Sequence, residues 1–186
     1  MLELALHVLD IAENSSRAGA SLIEITIEED LTGDVFCLEI RDNGHGMDEM
    51  AIEKALDPFY TTKKVRRIGL GLPMLKQATQ AAEGGFSLTS EPGRGTVVRA
   101  WFRHSHIDRQ PLGDIAGVVT MLILGNPDID LVYTHRRNGN EYVLDTREIR
   151  DGLGDVPLNT MEVLNLIRDN IREGLDELNG VSGGSS

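Results

Sequence analysis

A short loop that combines one acid with two glycines is the first feature of this sequence that could do chemistry. Asp42 opens the run DNGHGM, which ends at Met47 and contains Gly44 and Gly46. A carboxylate can accept a hydrogen bond from an exocyclic amine such as that of adenine. Glycine lets the backbone approach a ligand where a Cβ would collide. The loop therefore predicts contacts to the base of a nucleotide.

Two further segments with compatible chemistry lie on either side of this loop in the sequence. The run from Gly69 to Leu72 has glycines at alternate positions and precedes a predicted helix. Free amides at a helix N-terminus, and the helix dipole, attract phosphate groups. Upstream, Asp10 and Asn14 fall four residues apart on one face of another predicted helix. Together these segments predict a nucleotide pocket.

The elements that must position these residues follow from hydrophobic periodicity and from turn signals. The pattern predicts helices at 2–17, 47–56 and 73–83, and strands at 22–27, 35–41, 86–90 and 96–103. Beyond a polar junction at His104 to Pro111, it predicts a helix at 112–124, a hairpin of 131–135 with 141–144, and a helix at 160–178. We therefore expect two units, residues 1–104 and 109–180, and a flexible tail at 181–186.

Composition narrows the classes of partner. The 186 residues carry a formal net charge of −12, which disfavours general binding to nucleic-acid phosphates or to anionic lipid. No apolar run approaches the roughly 20 residues that span a bilayer, and the N-terminus does not look like a signal peptide. The single cysteine, Cys37, lies in an apolar run and is predicted to be a buried strand residue. These features predict a cytoplasmic protein without a nucleic-acid or membrane partner.

The order of the segments resembles the GHKL, or Bergerat-fold, ATPase family, which includes sensor histidine kinases, anti-sigma-factor serine kinases, type II topoisomerases, Hsp90 and MutL. The resemblance covers residues 1–104. Its four boxes are Asp10 to Arg17, Asp42 to Met47, Asp57 to Lys63, and Gly69 to Leu72 with Gly95-Thr96 beyond. The last two boxes look most like the histidine-kinase branch. The resemblance implies an α+β fold, a two-layer α/β sandwich with a mixed sheet covered by helices, followed here by a small α/β C-terminal extension.

The same resemblance implies ATP and Mg²⁺ as cofactors. The amide oxygen of Asn14 is a hard ligand that can complete the shell of a Mg²⁺ ion bridging the phosphates. Asp42 would bind adenine with support from Thr96, while Arg17 either reaches a phosphate or stays an exposed helix cation. The predicted cofactor contacts are Asn14, Arg17, Asp42, Gly44, Gly46, Met47, Phe59, Thr61, Thr62, Lys63, Gly69, Leu70, Gly71, Leu72 and Thr96.

A cationic segment between the second and fourth boxes is predicted to be a lid over the nucleotide. It runs from Phe59 to Arg67 and interrupts an otherwise acidic chain. Its cations, Lys63, Lys64, Arg66 and Arg67, can neutralise phosphate charge, and closure would shield the reaction from water. Arg67-Ile68 precede Gly69 where a glycine and a threonine are usual, so we expect a stiffer or shorter lid.

Asp10 decides how much catalysis the resemblance implies. Hydrolysing and serine-phosphorylating branches carry a glutamate base one turn before the asparagine, whereas histidine kinases usually carry an asparagine there. Asp10 can act as a catalytic base on water or a hydroxyl, although its side chain is one methylene shorter than glutamate. Alternatively it holds waters of the Mg²⁺ ion. The sequence leaves both roles open.

The resemblance predicts a protein that phosphorylates or regulates a partner protein in trans, because no segment with a phosphoacceptor histidine precedes the Asp10 helix. The alternative is a nucleotide-gated binding or scaffold module, anti-sigma-like or associated with a redox complex, without phosphoryl transfer. The run from Thr61 to Ala78, with the extension, is also similar to ATP-binding proteins encoded beside iron hydrogenases. A hydrogenase-related partner is therefore one expectation.

The remaining expectations concern packing. The strand that usually precedes the first helix is missing, so the C-terminal part or a partner should cover that sheet edge. The apolar face of 160–178 should pack internally or in a homodimer. His135 with Arg136 and Arg137 suggests an anion site, but a basic hairpin edge that discourages strand pairing is the preferred interpretation. His7 and His45 are interpreted as packing or positioning residues.

Overall fold

A computed structural model of the chain describes residues 3–60 and 71–180. Its helices are α1 (Leu4–Arg17), α2 (Glu49–Leu56), α3 (Gly71–Ala81), α4 (Ile115–Gly125), α5 (Thr146–Leu153) and α6 (Met161–Leu178). Its strands are β1 (Leu22–Asp30), β2 (Val35–Asp42), β3 (Gly85–Glu91), β4 (Gly95–Arg103), β5 (Asp130–Arg137) and β6 (Asn140–Asp145). Within the described ranges no helix is long and apolar enough to cross a membrane.

The strands form one mixed sheet in the order β3-β4-β2-β1-β5-β6, and the predicted α+β class is confirmed. Alternation along β1 explains the two layers: Ile23, Ile25 and Ile27 are buried, whereas Glu24 and Thr26 between them are partly exposed. Helices α1, α3 and α6 pack against the sheet, and α4 packs against α1 and α6. The other face of the sheet points to solvent.

Strand β5 covers the edge of β1 that was expected to need a covering partner. It pairs in parallel with β1 from Leu22↔Asp130 to Glu29↔Arg137. The C-terminal part, one of the two predicted alternatives, thus completes the sheet. Strands from both sides of the junction predicted between residues 104 and 109 share this one sheet. The division of the chain into two units stays a prediction.

Most predicted elements agree with the structure to within two or three residues, and the differences have physical causes. Helix α4 begins at Ile115 rather than at Leu112, because Gly113 has a positive φ of 78° and Asp114 caps the helix through the amide of Gly117. Helix α5, an eight-residue amphipathic helix whose N-cap is Asp145, was not predicted from the sequence. Cys37 is only half-buried, because β2 turns Phe36 and Leu38 into the core and Cys37 away from it.

The prediction that His135 to Arg137 form an exposed basic edge was wrong. Strand β5 is an interior strand, and His135 is only 4% exposed. Its Nε2 lies 2.8 Å from Oε2 of Glu29, and its Nδ1 lies 2.8 Å from the hydroxyl of Tyr133. Because residues i and i+2 of a strand share a face, Tyr133 and His135 both point into the core.

Glu29, on β1, is bonded both to β5 and to His104, the residue that follows β4. Its Oε1 lies 2.9 Å from Nε2 of His104, and Arg137 lies 3.3 Å from its Oε2. Burial alone would raise the pKa of Glu29, but hydrogen bonds from His135 and His104 and the charge of Arg137 lower that pKa to about 2.

Helix α6 packs against α4, β5 and β6, so its apolar face is used internally, except that Met161 is exposed.

This network predicts how stability depends on pH. The pKa of Glu29 is lower in the folded chain than its ordinary value of 4.5, so its contribution is present above pH 4.5 and is lost as pH falls towards 2. We expect Glu29→Gln to lower the free energy of unfolding at pH 7 by on the order of 2 kcal/mol. It should also flatten the acid limb of the stability profile, measured by urea denaturation.

Glu39→Gln is the matched control, because Glu39 is partly exposed on the other face of the sheet and pairs only with Arg41 in the described residues. Its acid limb should match that of the parent chain. A Glu29→Gln profile that keeps the parent's acid limb would contradict the account.

Candidate functional site

A cavity of about 480 Å³ lies between α1, α2, the start of α3 and the ends of β2 and β4. Its size falls within the range of small-molecule sites, about 300–1,000 Å³. Seven predicted site residues line it: Asn14, Arg17, Asp42, Gly46, Met47, Leu72 and Thr96. The structure thus brings the first helix, the glycine loop, the start of α3 and β4 to one place.

Three predicted contacts are described but do not line the cavity, and neither does the catalytic candidate Asp10. Gly44 is buried beneath the loop, and Gly71 packs against Asp10, so neither faces the space directly. Phe59 is 91% exposed, and the adjacent Tyr60 lines the cavity instead. The other predicted contacts lie outside the described residues: Thr61, Thr62, Lys63, Gly69 and Leu70.

Asp42, the last residue of β2, is held by two donors. The amide of Gly44 donates to its Oδ1 at 2.9 Å, and the hydroxyl of Ser15 donates to its Oδ2 at 2.6 Å. Each carboxylate oxygen can accept more than one hydrogen bond, so both oxygens keep capacity for a ligand. The carboxylate is therefore held in position and can still accept hydrogen bonds from a ligand.

The loop from Gly44 to Met47 is fastened at both sides by its backbone. His45 donates its amide to the carbonyl of Ala18 at 2.8 Å and accepts from the amide of Gly93 at 2.7 Å. Gly46 has a φ of 70°, and a Cβ there would lie 1.9 Å from the carbonyl oxygen of Glu91. Only glycine allows this approach of the loop to the β3–β4 turn. The backbone of His45 thus helps to hold the loop, while the positional role of its side chain stays a prediction.

Thr96 lies opposite Asp42 in the β2–β4 register, and its hydroxyl is oriented by Ser90. The Ser90 hydroxyl accepts from the amide of Met47 at 2.8 Å and donates to the carbonyl of Gly95 at 3.0 Å. Its remaining lone pair can then accept from Thr96, whose Oγ1 is 2.8 Å away. Thr96 would in that case present lone pairs to the cavity, which suit an amine or a bridging water.

Asn14 and Arg17 occupy the cavity side of the last turns of α1. Arg17 Nη1 donates to Oδ1 of Asn14 at 3.1 Å, and Arg17 Nη2 lies 3.8 Å from Glu13. Among the described residues no group of three or more His, Cys, Asp or Glu could hold a metal by itself. A single amide oxygen fits Mg²⁺ that is also bound by phosphates and waters, which is the usual protein mode of this ion. One lone pair of Asn14 Oδ1 remains for it.

Asp10 lies on α1, one turn before Asn14, and contacts Gly71 at the start of α3. A Cβ on Gly71 would lie 3.1 Å from Cβ of Asp10, so this glycine allows the helices to approach closely. Burial, and then the charge of Glu13, raise the pKa of Asp10. A raised pKa makes a carboxylate a stronger base than an ordinary aspartate.

His7, on the same face of α1, is buried and contacts Gln110 at 3.0 Å, which confirms its interpretation as a packing and hydrogen-bonding residue.

Nine lining residues were not predicted as contacts, and three of them, Ser15, Lys54 and Tyr60, carry polar side chains that bear on binding. Ser15 could have been found, because it directly follows Asn14 in the first box. Tyr60 lies within the third box, in which Phe59 was the predicted cofactor contact. Lys54 on α2 carried no signal, and its Nζ lies 5.2 Å from the centre of the Tyr60 ring. This contact brings a positive charge to the cavity that the described lid residues alone do not supply.

Comparison with known proteins assigns the chain to a family. The family of histidine kinase-, DNA gyrase B- and HSP90-like ATPases matches residues 2–106. The chain belongs to this family. Members bind ATP, and ATP binding is therefore implied for this chain.

Curated proteins that this chain resembles include histidine kinases. The cell-division control histidine kinase PdhS of Brucella abortus strain S19 is 34% identical over 113 residues, which cover 54% of this chain and 11% of PdhS. PdhS of Brucella canis is 35% identical over the same shares of both chains. The chain thus spans about a tenth of the length of these relatives. The ADP-bound MutL ATPase domain of Aquifex aeolicus aligns at 15% identity with a TM-score of 0.49, over 82% of this chain and 69% of that one.

The geometry around Asp42 generates a prediction for Ser15. Removing the hydroxyl in Ser15→Ala leaves the carboxylate with one fixed donor, so ATP affinity should fall about tenfold, the scale of one hydrogen bond to a charged group. Isothermal titration calorimetry measures this change. Thr120→Val is the matched control, because it removes a buried hydroxyl that bonds only within α4. Unchanged affinity in Ser15→Ala would show that Ser15 does not position Asp42.

Proposed function

We propose that this chain binds ATP together with Mg²⁺ and phosphorylates or regulates a partner protein in trans. The observation that supports the proposal most directly is that Asp42 and Asn14 line one cavity. In the proposed complex Asp42 accepts from the adenine amine, and Asn14 binds the Mg²⁺ ion that joins the phosphates. Arg17 and Lys54 supply positive charge at the same cavity.

Asp10 is proposed as the base in phosphoryl transfer. Its raised pKa supports this role, because a base works best when its pKa approaches the operating pH. Its contact with Gly71 supports a link to the α3 end of the predicted lid. The same contact favours the second candidate, a nucleotide-gated binding module, in which closure against Asp10 changes a docking surface without transfer.

The five histidines of the sequence are held by contacts within the fold or lie away from the cavity, apart from His45. His7 and His135 are buried, and His104 bonds to Glu29. His106 lies 3.8 Å from Glu83, away from the cavity. His45 lines the cavity, but its Nδ1 is 2.8 Å from the carbonyl oxygen of Gly46. None of these five histidines is therefore proposed as the residue that receives the phosphate.

Titration with ATP and ADP, each with and without Mg²⁺, tests the binding part of this proposal. Asp42→Ala should weaken ATP binding at least about tenfold, because it removes a charged acceptor. Asn14→Ala should instead abolish the difference between titrations with and without Mg²⁺. Asp155→Ala, an exposed carboxylate outside the cavity, should bind as the parent chain does. Parent-like binding by Asp42→Ala would refute the proposed site.

The variant Asp10→Asn separates the two candidate functions. In the transfer mechanism it should retain ATP binding but lose about 10²–10⁴-fold in phosphate release from labelled ATP, the typical effect of a general base. Since burial raises the pKa of Asp10, the parent's rate should decline with acidification at a higher pH than an ordinary aspartate would give. Turnover equal to the parent's would exclude Asp10 as the base, whereas a parent chain that binds ATP without turnover would support the gated-binding function.

A further inference from the structure

The C-terminal segment contacts α1, the helix that carries Asp10 and Asn14, at both of its ends. At the N-terminal end the amides of Leu4 and Ala5 donate to the carbonyls of Pro111 and Leu112 at 2.9 and 2.8 Å. These are amides that a helix leaves without internal partners, and the N-cap residue of α1 makes no side-chain cap bond. Residues beyond the family match of 2–106 thus cap the nucleotide helix.

At the C-terminal end a single side-chain bond joins α1 to α4. The hydroxyl of Ser16 donates to Oδ1 of Asn126 at 2.5 Å. Asn126 is the C-cap of α4, and its Nδ2 donates to the carbonyl of Leu122 at 3.1 Å. The amide side chain is therefore held at its other end and cannot follow Ser16 freely. The bond fixes the last turn of α1 relative to α4.

The three consecutive residues of this turn point in different directions. Successive helix residues are rotated by about 100°, so Asn14, Ser15 and Ser16 face three neighbours. Asn14 lines the cavity, Ser15 bonds to Asp42, and Ser16 bonds to Asn126. A shift of Ser16 would displace both the proposed metal ligand and the donor that holds the adenine acceptor.

We infer that Asn126 is a positioning residue for the nucleotide site, which acts through Ser16 on the last turn of α1. The inference deepens the proposed ATP binding and rests on it. Asn126 touches no ligand itself. Its role is to keep Asn14 and Ser15 in register with Asp42, so that the C-terminal segment sets the affinity of the cavity for ATP.

A double-mutant cycle in the full chain tests this role. Ser16→Ala and Asn126→Ala should each weaken ATP-Mg²⁺ binding about threefold to tenfold, the scale of couplings through contact networks. The double variant should bind no more weakly than the weaker single variant, because both changes remove the same bond. Ser16→Thr keeps the hydroxyl and should restore affinity to within about twofold of the parent.

Tyr142→Phe is the matched control within the C-terminal segment. It removes a hydroxyl that donates to Oδ1 of Asn170 at 2.6 Å, a bond between β6 and α6. It should change the free energy of unfolding, measured with urea, but not ATP affinity. Calorimetry and urea unfolding are measured on every variant, so that loss of folding is not mistaken for loss of affinity.

Three results would overturn the inference. They are parent-like affinity in Ser16→Ala, losses that add in the double variant, and an equal loss of affinity in Tyr142→Phe. In each case the parent chain still binds ATP, and the proposed function stands. Failure of the parent chain to bind ATP is a different result, which refutes the proposed function and this inference with it.

Discussion

The hydrogen bond from Ser15 to Asp42 is the contact on which the arrangement of the site depends. It joins α1 to the end of β2 across 27 residues of sequence, and so fixes the distance between an acid on the sheet and an amide on the helix. The glycine loop is then fastened between Ala18 and the β3–β4 turn. A cavity lined by both Asp42, the proposed purine acceptor, and Asn14, the proposed metal ligand, follows from this one junction.

Charge constrains the same site. A chain with a net charge of −12 repels a triphosphate at long range, so binding needs local compensation. Arg17 and Lys54 supply part of it, but Arg17 is shared with Asn14 and Glu13, and Lys54 lies over Tyr60. Mg²⁺ would supply the remainder at the phosphates, which explains why an amide rather than another carboxylate suits position 14. In the proposed complex, Asn14 would bind the ion without adding to the negative charge.

Local signals allowed much of the site to be predicted from the sequence. Asn14, Asp42 and Gly46 belong to short motifs whose chemistry is readable residue by residue, and periodicity placed the elements around them. Helix α5 was not predicted because eight residues give too little periodicity. Ser15 was not predicted because a serine within a helix rarely signals a site by itself. The role of Ser16 depends on Asn126, 110 residues away, which no local pattern could indicate.

Tertiary context also explains the two interpretations that failed. His135 and its arginines looked like an edge because polar residues end the strand, yet β5 lies inside the sheet and Glu29 makes the histidine's burial favourable. Cys37 looked buried because its neighbours are apolar, but β2 buries only alternate residues. Long-range strand pairing decided both cases.

The most direct test of the central claim is a crystal structure of the chain with Mg²⁺ and a non-hydrolysable ATP analogue. The account predicts an Asp42 oxygen within about 2.7–3.2 Å of the adenine amine and Oδ1 of Asn14 at about 2.0–2.1 Å from the metal. Arg17 should have left Asn14 Oδ1 for a phosphate or for solvent. A nucleotide bound outside this cavity, or one whose base faces Asn14 and whose phosphates face Asp42, would contradict the account.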